Sequence, residues 1–217
     1  MHIENSRFIK SFNYLKIQQS NILKELPILQ KIRDCTVCES DLPLGANPVV
    51  KAVAKSRIAV IGQAPGRVVH ESGIPWDDKS GKRLREWLGV TDVEFSNPVN
   101  FGILPMGFCY PGKGKSGDLP PRKECAPLWH EPLLAELPEI KLILLIGSYS
   151  QKYYLGKNRK KNLTETVRAY DEYLPKYFPL VHPSPLNFRW LRKNPWFEAF
   201  VVPELQERIR KIILKKD

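Results

Sequence analysis

Four cysteines carry the first chemical signal: Cys35, Cys38, Cys109 and Cys125. The first two form the C-x2-C pair "CTVC", and fifteen residues separate the last two. A C-x2-C turn presents two thiolates to one metal centre, and four thiolates suit either Zn²⁺ or an iron–sulfur cluster. Spacing alone does not choose between them. In a chain expected to be cytoplasmic, such thiols are ligands or free rather than disulfide-bonded.

The second signal is the stretch "IGQAPGRVVHESGIPW", residues 61–76. A short apolar run precedes it, and glycines and prolines fill it, as in loops that let a backbone approach a ligand closely. No lysine follows where a phosphate-binding loop would place one. The tempting "GKGKS" at 112–116 has Cys109 where such a loop needs its first glycine, and "GDLPP" follows where a helix should. That motif is rejected. The third signal is "VHPSPLNFRW" at 181–190, which carries a lone histidine, His182, after another apolar run.

These residues need elements to position them. Apolar runs at 57–64, 101–106, 141–147 and 178–182 predict strands. Helical spacing falls at 16–32 (interrupted by Pro27), 80–88, 124–137, 149–155, 163–173 and 203–215. "KLILLIGS" is apolar without alternation, which suits a central parallel strand covered on both faces. Strands alternating with helices predict an α/β fold, a three-layer α/β/α sandwich around a central parallel sheet. The Gly-rich loop and the His182 segment each follow a strand. Both therefore belong at the carboxyl ends of the strands, where ligands bind in such sheets.

Length supports one domain over residues 1–217, with a helical N-terminal extension over about 1–34. Hydrophobic residues make up 42% and charged residues 26%, a globular balance with no run long enough to span a membrane. The start lacks the apolar core of a secretion signal, so a cytoplasmic location is expected; a monomer is expected as well. Lys and Arg number 34 against 23 Asp and Glu, a net charge of +11 that suggests a polyanionic partner, nucleic acid first. Basic runs lie at "KNRKKN", "RWLRKN" and "RIRKIILKK". The second interleaves aromatics with cations, a pattern of single-strand and flipped-base readers.

C-x2-C, "GQAPG" after a strand, "G-x-P-W", C-x15-C and "HPSPLN", in that order, resemble the uracil-DNA glycosylase superfamily, and most closely its iron–sulfur branch, the fourth family. The resemblance runs from Cys35 to Asn187. It implies a four-stranded parallel sheet, a [4Fe-4S] cluster on the four cysteines, DNA as partner, and excision of a deaminated base. The Gly62–Gly66 loop, with Ala64 and Pro65, would then hold a flipped nucleoside, and Gln63 on that loop would be a catalytic residue beside His182. His182 would donate to the base oxygen as charge develops there. Trp76 would stack on the base, Ser184 would help hold a phosphate, and Leu186 would fill the gap left in the duplex.

The branch usually carries Glu where Gln63 stands, an acid where Val69 stands, and a base-reading Asn where Pro105 stands. Hypoxanthine therefore stands beside uracil as the expected base, and a non-catalytic nucleic-acid-binding protein on the same fold stands beside the glycosylase. The water-activating residue is unassigned, with His70, Glu71, Asp77 and Asp78 close in sequence. "PWDD" has a plainer reading as the acidic start of a helix.

Overall fold

The computed structural model describes residues 26–115 and 117–215. Four parallel strands, β1 (Ile58–Ile61), β2 (Phe101–Ile103), β5 (Leu142–Ile146) and β6 (Tyr177–Leu180), form one sheet in the order β2-β1-β5-β6. A separate two-stranded antiparallel hairpin, β3 (Lys113–Gly114) and β4 (Gly117–Asp118), stands apart from it. Among the described residues the α-helices are α1 (Pro27–Arg33), α2 (Arg67–Ser72), α3 (Lys79–Leu88), α4 (Asp92–Ser96), α5 (Cys125–Ala135), α6 (Ser148–Leu155), α7 (Leu163–Arg168), α8 (Phe188–Lys193) and α9 (Val202–Leu214).

Strand residues divide strictly between two apolar layers. Ile58, Val60, Leu142, Leu144, Phe178 and Leu180 join Leu84 and Leu88 of α3 and Leu205 and Ile209 of α9. Ala59, Ile61, Ile143 and Leu145 join Leu29 and Ile32 of α1, Leu133 of α5 and Leu155 of α6. The period-two alternation of a strand thus feeds both faces, which explains why these strands read as unbroken apolar runs. The α/β sandwich is the predicted one. At roughly 1.5–3 kcal/mol per large apolar side chain buried, the two layers supply the main driving force.

The strands are shorter than the apolar runs, for a visible reason. Backbone pairing continues past β2: Leu104, Met106 and Gly107 N–H groups donate to the carbonyls of Val60, Gly62 and Gln63 at 3.0, 2.9 and 3.0 Å. The run to 64 is therefore a loop tied down like a strand. The helical pattern at 163–173 breaks after Arg168 into a 3₁₀ turn at Tyr170–Tyr173. The expected helix over 16–32 is described only from Pro27, and most of the proposed extension over 1–34 lies outside the described residues. Among the described residues no helix is long and apolar enough to cross a membrane.

Candidate active site

A cleft of about 470 Å³ opens at the carboxyl ends of β1 and β6. Gly62, Gln63, Ala64, Pro65, Gly66, Trp76, His182, Ser184 and Leu186 all line it. The structure thus brings together every residue that the sequence assigned to catalysis or substrate binding. Asp78, Ser80, Pro105, Asp118 and Asn187 line it too.

His182 is placed by the last strand and fixed by its neighbours. Buried Gln151 donates its amide to the carbonyls of Leu145 (3.2 Å) and Leu180 (2.9 Å), locking the ends of β5 and β6 together just before it. Asn187 Nδ2 donates to the His182 carbonyl at 2.8 Å and closes the "HPSPLN" turn. The Ser184 N–H donates to His182 Nδ1 at 3.2 Å, so that nitrogen is bare and the ring proton sits on Nε2. Burial lowers the His182 pKa, opposed by the nearby Asp78 carboxylate. A neutral imidazole with a free Nε2–H is suited to donate to an oxygen that becomes negative.

Trp76 sits 5.7 Å from His182, ring centroid to centroid, with the planes inclined by 31°. Its backbone is held in the left-handed region at φ 60°, a costly conformation for a bulky residue. Two glycines accommodate it. A side chain at Gly81 would meet the Trp76 carbonyl at 1.8 Å, and one at Gly62 would meet its indole at 2.9 Å. Arg85 Nη1 donates to the same carbonyl at 3.2 Å. Gly62 therefore makes room for the indole while also lining the cleft. The "PWDD" acids begin a helix, as the plainer reading held: Asp78 caps α3 by accepting from the Gly81 N–H at 2.7 Å.

Other side chains have more modest duties. Gln63 Nε2 donates to the Leu119 carbonyl at 3.0 Å and ties the glycine loop to the segment after the hairpin. The Ser184 hydroxyl accepts from the Leu186 N–H at 3.2 Å and shapes a 3₁₀ turn at Pro185–Asn187. That turn holds Leu186 out with 74% of its surface exposed. Arg189, Arg192 and Lys193 on the adjoining α8 are exposed as well. Trp190, however, turns inward, donating to Thr164 Oγ1 at 2.9 Å and packing on Trp196 and Phe197. It is structural rather than a base reader. Within the described part of the run, 208–215, Arg208 pairs with Glu204, Arg210 with Glu94, and Lys211 with Glu207.

Pro105 lines the cleft. Its carbonyl accepts from buried His130 Nε2 at 3.0 Å, while His130 Nδ1 accepts from the Tyr154 hydroxyl at 2.5 Å. The cleft floor is thus anchored from behind by a neutral imidazole whose pKa burial lowers to about 4.

Behind the cleft, Cys35, Cys38, Cys109 and Cys125 line one small cavity with Phe108, Arg122 and Trp129. Cys35 follows α1, and Cys125 begins α5. The Phe108 N–H donates to Cys125 Sγ at 3.4 Å. Burial, with the neighbouring thiols adding to it, pushes the Cys125 thiol up to about 12, and burial raises Cys38 and Cys109 also. Among the described residues, no group of three or more His, Cys, Asp or Glu side chains is arranged to hold a single metal ion.

The cleft at the strand ends, walled by Trp76 and His182 among polar side chains, lies where open parallel sheets bind their ligands. Residues 50–206 match the family model of the Uracil DNA glycosylase superfamily, and the chain belongs to that superfamily. Membership supports a glycosylase-like hydrolase acting on DNA.

Asp118 and Asn187 were missed by the sequence reading. Asn187 stood inside a quoted motif, and an amide closing a Pro-rich turn was the available signal. Asp118 lies in the segment dismissed as a failed phosphate loop and had no signal at all.

Proposed function

We propose that this protein is a monofunctional DNA glycosylase of the iron–sulfur branch, hydrolysing the N-glycosidic bond of a deaminated base, uracil or hypoxanthine. The observation that carries this reading is the convergence of the Gly62–Gly66 loop, Trp76, His182 and Leu186 on one cleft. Glycosidic cleavage develops positive charge on the sugar and negative charge on the departing base. His182 Nε2–H donates to the base oxygen as that charge grows, and its neutral state avoids proton transfer before the bond breaks. Trp76 stacks on the extruded base, and the backbone at Ala64 and Pro65 walls the pocket. Leu186, projecting from its turn, fills the vacated position in the duplex while the Arg189, Arg192 and Lys193 face meets phosphates.

Cys35, Cys38, Cys109 and Cys125 would hold a [4Fe-4S] cluster. The support for a shared centre is that the four thiols line one cavity, with zinc as the alternative occupant. A cluster there ties the chain before β1 to the segment carrying the hairpin; its role is structural. A second reading, a non-catalytic binder on the same fold, draws on Pro105 and Gln63, which supply neither an amide at the floor nor an acid on the loop. Incubating the protein with oligonucleotides carrying uracil, hypoxanthine or xanthine, then cleaving abasic sites, decides between the two.

A further inference from the structure

Hydrolysis needs a group to take a proton from the attacking water, and the glycine loop offers none. Gln63 is an amide bonded to Leu119, and Ala64, Pro65 and Val69 have no basic atom. Two carboxylates line the same cleft, Asp78 and Asp118. Asp78 is spent on α3: its Oδ1 accepts the Gly81 N–H at 2.7 Å and caps the helix.

Asp118 differs on each count. It comes from β4 of the short hairpin, next to Leu119, whose carbonyl accepts from Gln63 of the glycine loop. A Cβ placed on Gly66 would lie 3.5 Å from Asp118 Oδ2, so the carboxylate rests beside the loop's own backbone. Among the described residues its carboxylate has no hydrogen-bond or ion-pair partner. It is exposed at the rim in the free protein, where an extruded nucleotide would cover it. We propose that Asp118 is the water-activating carboxylate, supplied by the hairpin to a loop that lacks an acid at positions 63 and 69. This role rests on the glycosylase reading.

The step balances without a co-reactant. The C1′–N bond breaks and its electron pair leaves with the base, whose oxygen His182 stabilises. Water oxygen bonds to C1′, its proton passes to the Asp118 carboxylate, and solvent later returns a proton to the base. Partial desolvation raises the Asp118 pKa, Lys113 opposes this, and Asp78 adds to it. Tyr110 faces it too, with Arg67 and Glu71 of α2 beyond; Asp78 also faces His182. A raised pKa makes a stronger base, and the acid must be ionised to act.

The experiment is single-turnover excision by the parent, Asp118→Asn, Asp118→Glu and Asp78→Asn on duplexes carrying uracil or hypoxanthine, across the acid pH range. Thermal unfolding and DNA affinity are measured alongside. Asp118→Asn is expected to lower the rate by about 10²- to 10⁴-fold with affinity unchanged, and to abolish the acid limb of the profile. Asp118→Glu should restore part of the rate with the limb displaced. Excision by Asp118→Asn at the parent rate, a reduced rate with the limb intact, or loss of the limb in Asp78→Asn instead would each overturn the assignment. A parent that excises nothing overturns the glycosylase reading, and this role falls with it.

Discussion

His130 offers a quantitative check on how the cleft floor is built. It is 1% exposed, donates to the Pro105 carbonyl and accepts from Tyr154, so the folded protein holds it neutral. Its pKa falls from 6.5 to about 4, chiefly because burial penalises the charged ring. A displacement of about 2.5 pH units, at about 1.36 kcal/mol each, amounts to about 3 kcal/mol. The sign follows from proton counting. Between pH 6.5 and about 4 the unfolded chain binds a proton that the folded chain refuses, so stability falls as pH falls through that window. Above pH 6.5 the two states match, and this contribution is flat. Urea unfolding of the parent and of His130→Gln across the window is the assay. The variant is expected to be less stable near neutrality, because it disturbs a buried network, but to lose less stability on acidification. A parent and a variant with the same acid slope would refute the buried-neutral histidine.

The cysteines and the DNA-facing surface yield three further predictions. Protein purified without oxygen should be brown and carry about four irons per chain; stoichiometric zinc without iron, or no metal, would sink the cluster proposal. Leu186→Ala should reduce excision from paired substrates while sparing single-stranded ones, because only a duplex must have its gap filled; equal losses on both would show that Leu186 is no wedge. Replacing Arg189, Arg192 and Lys193 together with Ala should flatten the dependence of log affinity on log salt by up to about 0.9 for each phosphate no longer neutralised. An unchanged slope would remove α8 from the DNA interface.

Legibility in the sequence divided along physical lines. Four buried parallel strands leave long apolar runs, so "KLILLIGS" and its counterparts were readable with no knowledge of tertiary packing. Their ends were not, because pairing persists into Gly62 and Gln63 through bonds from Met106 and Gly107 that spacing cannot reveal. The cleft residues were legible as strand-end loops. Their supports were not: Gln151 and His130 act through partners distant in sequence, and nothing local marks them. Trp190 misled for the related reason that an aromatic among cations reads the same whether it faces DNA or, as here, Phe197. Hairpin strands of two residues each are too short to leave a pattern, which hid Asp118.

The most direct test of the account is single-turnover base excision by the parent and by His182→Ala, with DNA binding measured on the same substrates. The parent should convert at least one of the uracil, hypoxanthine or xanthine oligonucleotides to an abasic site. His182→Ala should lower that rate by about 10²- to 10³-fold and leave binding nearly unchanged, since the histidine acts on charge present only in the transition state. Undiminished excision by His182→Ala would contradict the catalytic assignment. A parent that binds DNA in a salt-dependent way yet excises none of the three bases would contradict the glycosylase itself.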